Sequence, residues 1–99
     1  MIKLTVLYGL PEDPEAFEEY YAEVHMPLVE QIPGAERWEA ARVVDTMDDD
    51  APYHRIFEFW FEDLDGMQAS MGSPEGQAAV ADIPNYATGG ATTLVSEVT

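Results

Sequence analysis

Phe17-Glu-Glu-Tyr-Tyr-Ala-Glu-Val-His-Met-Pro-Leu-Val-Glu-Gln-Ile-Pro-Gly34 is the stretch on which the reading of the whole chain turns. Phe17, Tyr20, Tyr21, Val24, Leu28 and Ile32 recur at spacings of three and four, the signature of a helix with one apolar face. Glu15, Glu19, Glu23 and Glu30 fall on the opposite, solvated side. The spacing puts His25 at the rim of the apolar arc, one turn beyond Tyr21 and beside it. Pro27 removes a backbone donor and crowds the carbonyl of Glu23, so a bend is expected there. A tyrosine and a histidine side by side at the edge of a core, next to a bend, are material for a pocket wall.

Working outward, Ile2, Leu4 and Val6 alternate with Lys3 and Thr5, which predicts a strand over residues 2–8. Asp13 followed by Pro14 is a helix start, with a capping carboxylate and proline in the first helical position. The helix is expected over 14–31, stopped by Pro33-Gly34. Residues 36–45 alternate as a second, more polar strand suited to a sheet edge. Asp48-Asp49-Asp50 lies in a connection that lacks the glycine and closing glutamate of a calcium loop.

Tyr53 to Phe61 is the strongest strand, with Phe57, Phe59 and Phe61 on one face and Ile56, Glu58 and Trp60 on the other. Apolar residues on both faces require cover on both sides, and one helical layer supplies only one. A second copy of the sheet is the simplest cover for the other. Helices follow at 63–71 and 74–82, an irregular segment at 83–90 and a last strand at 91–99. The order β-α-β-β-α-β is that of an α+β, ferredoxin-like domain with a four-stranded antiparallel sheet and strands one and three in its middle. Residues 1–99 form a single domain.

A chain of this size buries only roughly 60–65% of the surface it would expose unfolded, so self-association would help it. Twenty acidic residues against four basic ones give a net charge of −16, which excludes nucleic acid and anionic membranes as partners. Such a surface fits a salty interior, where charges are screened over short distances. With no cysteine, thiolate chemistry and disulfides are excluded. With no apolar run long enough for a bilayer and no signal segment, a cytoplasmic protein is expected.

The common catalytic signatures are missing. Gly72-Ser73-Pro74-Glu75-Gly76 is not a nucleophile elbow, and Gly89-Gly90 is a turn. The two histidines have no paired ligand motif, which argues against a metal. His25 remains: near neutral pH it could carry a proton or donate a hydrogen bond to a ligand carbonyl, with Tyr21 beside it. Alternatively it ties down a neighbouring loop. Tyr20, Leu28, Trp38, Phe57, Phe59 and Trp60 are the candidates to line a cavity for a small hydrophobic molecule, with core or interface packing as the competing role. His54 reads as structural or exposed, and Glu18 lies too far along the helix to orient His25 directly.

Tyr20-Tyr21, His25-Met26-Pro27-Leu28 and Pro33-Gly34 together resemble the signature of the EthD family. Leu7-Tyr8 with Pro11, Ser73-Pro74-Glu75-Gly76-Gln77 and Asp82 to Gly90 extend the likeness over nearly the whole chain. The resemblance implies a dimeric α+β barrel, in which two ferredoxin-like protomers pack sheet to sheet as a homodimer. It implies a role in catabolic or tailoring chemistry on a small hydrophobic or aromatic metabolite, without a cofactor. It also inclines His25 toward the ligand. Oxygenase, cyclase and decarboxylase chemistry all occur on this barrel, so the reaction stays open, as does a non-catalytic ligand-binding or accessory role.

Overall fold

A computed structural model describes residues 1–47 and 52–99 of the chain. Its elements are β1 (Ile2–Gly9), α1 (Pro14–Tyr20), a π-helical turn (Tyr21–His25), α2 (Met26–Glu30), β2 (Arg37–Arg42) and β3 (Tyr53–Phe61). They continue with α3 (Leu64–Gly72), α4 (Pro74–Asp82), a 3₁₀ turn (Ile83–Asn85) and β4 (Ala91–Glu97). The strands form one antiparallel sheet in the order β2-β3-β1-β4, the ferredoxin-like arrangement. The two most apolar strands are central, and the polar β2 is an edge. Pairing of β2 ends at Arg42, short of the expected residue 45, although Val43 still donates to the His54 carbonyl at 2.8 Å. The Asp48-Asp49-Asp50 connection lies outside the described residues.

Local chemistry sets the helix starts. The Asp13 carboxylate accepts from the Glu15 and Ala16 amides at 3.1 and 3.2 Å, and Pro14 occupies the first turn where no donor is needed. Asp63 caps α3 by accepting from Gly66, and Ser73 caps α4 by accepting from Gly76. Gly34 ends the first helical segment with φ of 87°, a conformation that a side chain disfavours.

All helices lie on one face of the sheet. β1 contributes Leu4, Val6 and Tyr8 to that face, and β3 contributes Phe57, Phe59 and Phe61; Leu4 pairs with Phe59 and Val6 with Phe57. Phe17, Tyr21, Val29, Ile32, Met67, Ala79 and Tyr86 close over them from above.

Within the helical layer the inward face departs from the α-helical expectation. Phe17, Tyr21, His25, Val29 and Ile32 are buried, whereas Val24 is exposed and Leu28 only half-buried. The π turn is the reason. The Met26 amide bonds the carbonyl of Tyr21, five residues back, so the turn holds one residue more than an α turn. Every position after Tyr21 is thereby displaced by one, and the core inherits His25 and Val29 in place of Val24 and Leu28. Pro27, with no N–H to offer the Glu23 carbonyl, removes the α-helical alternative at this point.

The strand ends meet in a close crossing. A Cβ added to Gly9 would stand 2.2 Å from the Gly89 carbonyl oxygen, and Gly9 donates to the Gly90 carbonyl at 2.9 Å. Gly72 has open space around it. Gly9→Ala is therefore expected to cost about 1–3 kcal/mol through forced backbone displacement, and Gly72→Ala to change stability by less than about 0.5 kcal/mol. Chemical denaturation of the two variants checks the difference; equal midpoints would show that the crossing yields freely.

Candidate active site: a histidine held by a buried carboxylate

The floor of the space between sheet and helices is built from β1 and β3, with Leu4, Val6, Tyr8, Phe57 and Phe59 facing upward. His25, Val29 and Ile32 form one wall, and Met67, Met71, Ala79, Val80 and Ile83 form the opposite one. Together they bound a cavity of about 260 Å³. Among the lining residues only Tyr8, His25 and Thr93 bear polar side-chain atoms. Val80 and Thr93 remain exposed and mark the side on which the cavity meets solvent.

His25 is buried, at 3% exposure, and its Nδ1 lies 3.0 Å from Asp82 Oδ2. The other oxygen of Asp82 accepts from the Tyr20 hydroxyl at 2.5 Å and the Asn85 amide at 3.0 Å. Burial alone would raise the pKa of Asp82, but these donors, with His25, outweigh it and hold the pKa below the ordinary carboxylate value. Asp82 is therefore ionised at neutral pH and can only accept, so the proton of neutral His25 resides on Nδ1. Nε2 has no hydrogen-bond partner among the described residues, and His25 is one of the residues that line the cavity.

Burial lowers the pKa of His25, and the hydrogen bond and charge of Asp82 offset this only in part. The contact is thus one between a carboxylate and a neutral imidazole at neutral pH, ready to become an ion pair when Nε2 takes a proton. Both groups have folded-state pKa values below their unfolded ones. Their contribution to stability is present above the unfolded values and is lost as pH falls, first below about 6.5 for histidine and then through the carboxylate range.

Aromatic rings pack the dyad in place. The Tyr86 ring lies 4.7 Å from the His25 ring, and Tyr21 stacks on it at 5.7 Å. Tyr86 also stacks on Tyr20 at 5.5 Å, and its hydroxyl meets that of Tyr8 at 2.6 Å. On the far side of Tyr21, Glu18 bonds Arg55 through both oxygens and His54 Nε2 at 3.1 Å. Glu18 thus organises His54, which is buried, and does not reach His25.

Of the residues singled out from the sequence, His25, Phe57 and Phe59 border the cavity. Tyr20 stands outside it and reaches the dyad through Asp82. Tyr21 packs against His25 but does not line the cavity, and its hydroxyl is buried without a partner among the described residues. Leu28 packs against the core edge, and Trp38 is 40% exposed on edge strand β2, 5.9 Å from the Phe57 ring. Trp60 lies on the opposite face of the sheet, with the Arg37 guanidinium 3.9 Å over its ring. No local sequence pattern assigns a role to Tyr8, Asp82, Asn85 or Tyr86. Among the described residues, no group of three or more histidine, aspartate or glutamate side chains is placed to hold a metal ion, and no helix is long and apolar enough to cross a membrane.

The four-stranded antiparallel sheet with its helices on one face makes this a ferredoxin-like domain. The chain belongs to the EthD family: residues 10–90 match the EthD domain. It is 39% identical over 98 residues to an uncharacterised 11.0 kDa protein from the thcB–thcC intergenic region of Rhodococcus erythropolis, covering 98% of this chain and 94% of that one. A crystal structure of an EthD family protein from Bacillus halodurans superposes with a TM-score of 0.93 at 31% identity, over 100% and 99% of the two chains. At the level of fold, a dimeric ferredoxin-like protein of unknown function from Jannaschia matches with a TM-score of 0.77 at 18% identity, over 99% and 100%.

The orphaned hydroxyl of Tyr21 separates packing from participation. Tyr21→Phe removes a buried polar atom that gains no hydrogen bond, so stability is expected to stay level or rise by up to about 1 kcal/mol. Thermal unfolding of the variant checks this, and a clear loss would mean that the hydroxyl has a partner.

Proposed function

We propose that this EthD family protein is a cofactor-independent enzyme acting on a small hydrophobic or aromatic molecule, with His25 as the general base. One observation carries the reading: Asp82 fixes the proton of His25 on Nδ1 and leaves Nε2 free beside an apolar cavity. A base in such a place is not hydrated away from its target, and the imidazolium formed on proton uptake is met by a carboxylate already in position. Asp82, Tyr20 and Asn85 position the base without touching the substrate. The cavity's size suits one or two fused rings, since about 150 Å³ suffices for benzene.

The competing reading is a non-catalytic binder, favoured by how little polar surface the cavity offers. A base-sensitive probe distinguishes them. In 5-nitrobenzisoxazole, removal of the ring C–H breaks the N–O bond and releases a coloured phenolate, with no other reagent. The wild-type protein is expected to accelerate this well beyond free imidazole at the same concentration. His25→Ala should lose at least about 100-fold, within the range for a positioned general base. The rate should be level at neutral pH and fall only in acid, because the His25 pKa lies below its ordinary value. Binding without acceleration would leave the binder; acceleration that survives His25→Ala would remove His25 from the mechanism.

We also propose a homodimer formed through the uncovered face of the sheet. Leu7 and Ile56 occupy central strands there, half-buried with no helix over them, and Leu94 on β4 is about half exposed. Trp60 beside them is already covered by the Arg37 guanidinium. The dimeric ferredoxin-like protein from Jannaschia supports a second copy as the cover. Each copy carries −16, so association should tighten as salt screens the repulsion. Sedimentation equilibrium is expected to give a dimer in moderate salt and a monomer for Ile56→Asp; a monomeric wild type would refute the interface.

A further inference from the structure

Tyr8 and Tyr86 share a hydroxyl–hydroxyl bond of 2.6 Å inside the core. Two phenolic groups bring two protons, and their mutual bond uses one. The second must point elsewhere, and no further partner of either hydroxyl is found among the described residues. Both rings are buried, at 1% exposure for Tyr8 and 4% for Tyr86, so the cavity decides between the two directions. If Tyr8 donated to Tyr86, the leftover proton would belong to Tyr86, which is not among the cavity-lining residues. A donor stranded there costs about 1–3 kcal/mol. If Tyr86 donates to Tyr8, the leftover proton belongs to Tyr8, a cavity-lining residue. The second arrangement is the favoured one. Burial raises the pKa of both phenols, so both keep their protons at neutral pH.

We infer that the Tyr86–Tyr8 hydroxyl chain is a hydrogen-bond donor for an oxyanion in the cavity, and that the substrate is a carbonyl compound with an acidic hydrogen on the adjoining carbon. This rests on the reading of His25 as the base. The two functions enter one cavity from different layers, the base from the helical layer and the donor from β1. Nε2 of His25 takes the proton from the carbon next to the carbonyl. The C–H electron pair becomes the C=C bond, and the C=O π pair moves onto oxygen, which accepts from Tyr8. The proton on the imidazolium is stabilised by Asp82 until it returns to carbon or passes to oxygen. Nothing is oxidised or reduced. Tyr8 is the catalytic residue here; Tyr86 is a positioning residue that orients and polarises the Tyr8 hydroxyl.

The test uses 2-tetralone in D₂O, followed by NMR as deuterium replaces hydrogen beside the carbonyl. Wild-type protein should speed the exchange, and Tyr8→Phe should slow the protein-dependent rate about 100-fold or more, as for loss of an oxyanion donor. Tyr86→Phe should slow it only a few-fold in turnover, with the Michaelis constant little changed. Affinity for tetralin, which has the same rings and no carbonyl, should be the same in wild type and both variants. In wild type, and to a lesser extent in Tyr86→Phe but not in Tyr8→Phe, the carbonyl stretch of bound 2-tetralone should lie below its value in hexane. An unshifted stretch, or exchange in Tyr8→Phe within threefold of wild type, overturns the inference. If benzisoxazole opening depends on His25 while either of those results is found, the base reading stands and the donor reading alone fails. If benzisoxazole opening does not depend on His25, the base reading fails and this inference falls with it.

Discussion

The structure depends on one backbone fact: the helix cannot pass Pro27 with regular α geometry. A proline at that position offers no N–H to the Glu23 carbonyl. The chain answers with a five-residue π turn whose last residue is His25, and its Met26 amide reaches back to Tyr21. The extra residue costs regularity in one turn. It yields a face on which the sequence Phe17, Tyr21, His25, Val29 and Ile32 looks inward. Without the insertion, Val24 would take the place of His25 and Leu28 that of Val29, and the inward face would carry no ionisable group beyond Tyr21. The histidine's position is thus a consequence of the proline two residues beyond it.

Burying an imidazole in an apolar core carries a desolvation cost, and the carboxylate of Asp82 is what offsets it. Asp82 ends α4, so its backbone place is set by the Ser73–Pro74 start of that helix and the tight α3–α4 corner. There Gly76 lies so close to the Ser70 and Met71 backbone that a Cβ would not fit. The carboxylate is itself tied by Tyr20 from α1 and Asn85 from the 3₁₀ turn. Two stretches far apart in sequence, residues 20–25 and 82–85, therefore meet at one carboxylate, and that carboxylate decides which nitrogen of His25 bears the proton. The pair is better described as an orienting device than as a source of stability, because a buried charge and its partner rarely repay their desolvation.

Strand alternation, helix caps and breakers made the β-α-β-β-α-β order and the two central strands legible, because each rests on local chemistry: Asp13-Pro14, Ser73-Pro74, the Phe57, Phe59 and Phe61 face. The bend expected near Pro27 was legible too, but not its form. A 3.6-residue period assumes every turn is alike, so it buried Val24 and Leu28 and left His25 at the rim. The site was readable only through the histidine itself. Asp82 and Tyr86 lie 57 and 61 positions from His25, and no local pattern links them. Trp60 shows the opposite limit: an apolar residue on a strand has two possible faces, and its place away from the cavity follows from its register with β1 and β2.

The division of labour between layers explains why the aromatic residues are so dense around the dyad. A tyrosine buries a large apolar area and still carries one polar atom, so it can fill a core while delivering a hydroxyl to a chosen point. Tyr20 delivers its hydroxyl to Asp82, and Tyr86 delivers its own to Tyr8. Phenylalanine would pack as well in either place but would leave the carboxylate with one donor fewer, or the Tyr8 hydroxyl without its neighbour. Tyr21 is the exception, with its ring under Arg55 and its hydroxyl unpaired. The contrast is informative: where the hydroxyl has an acceptor, it adjoins the histidine–carboxylate pair or the cavity, and where it has none, the ring alone is what the core requires.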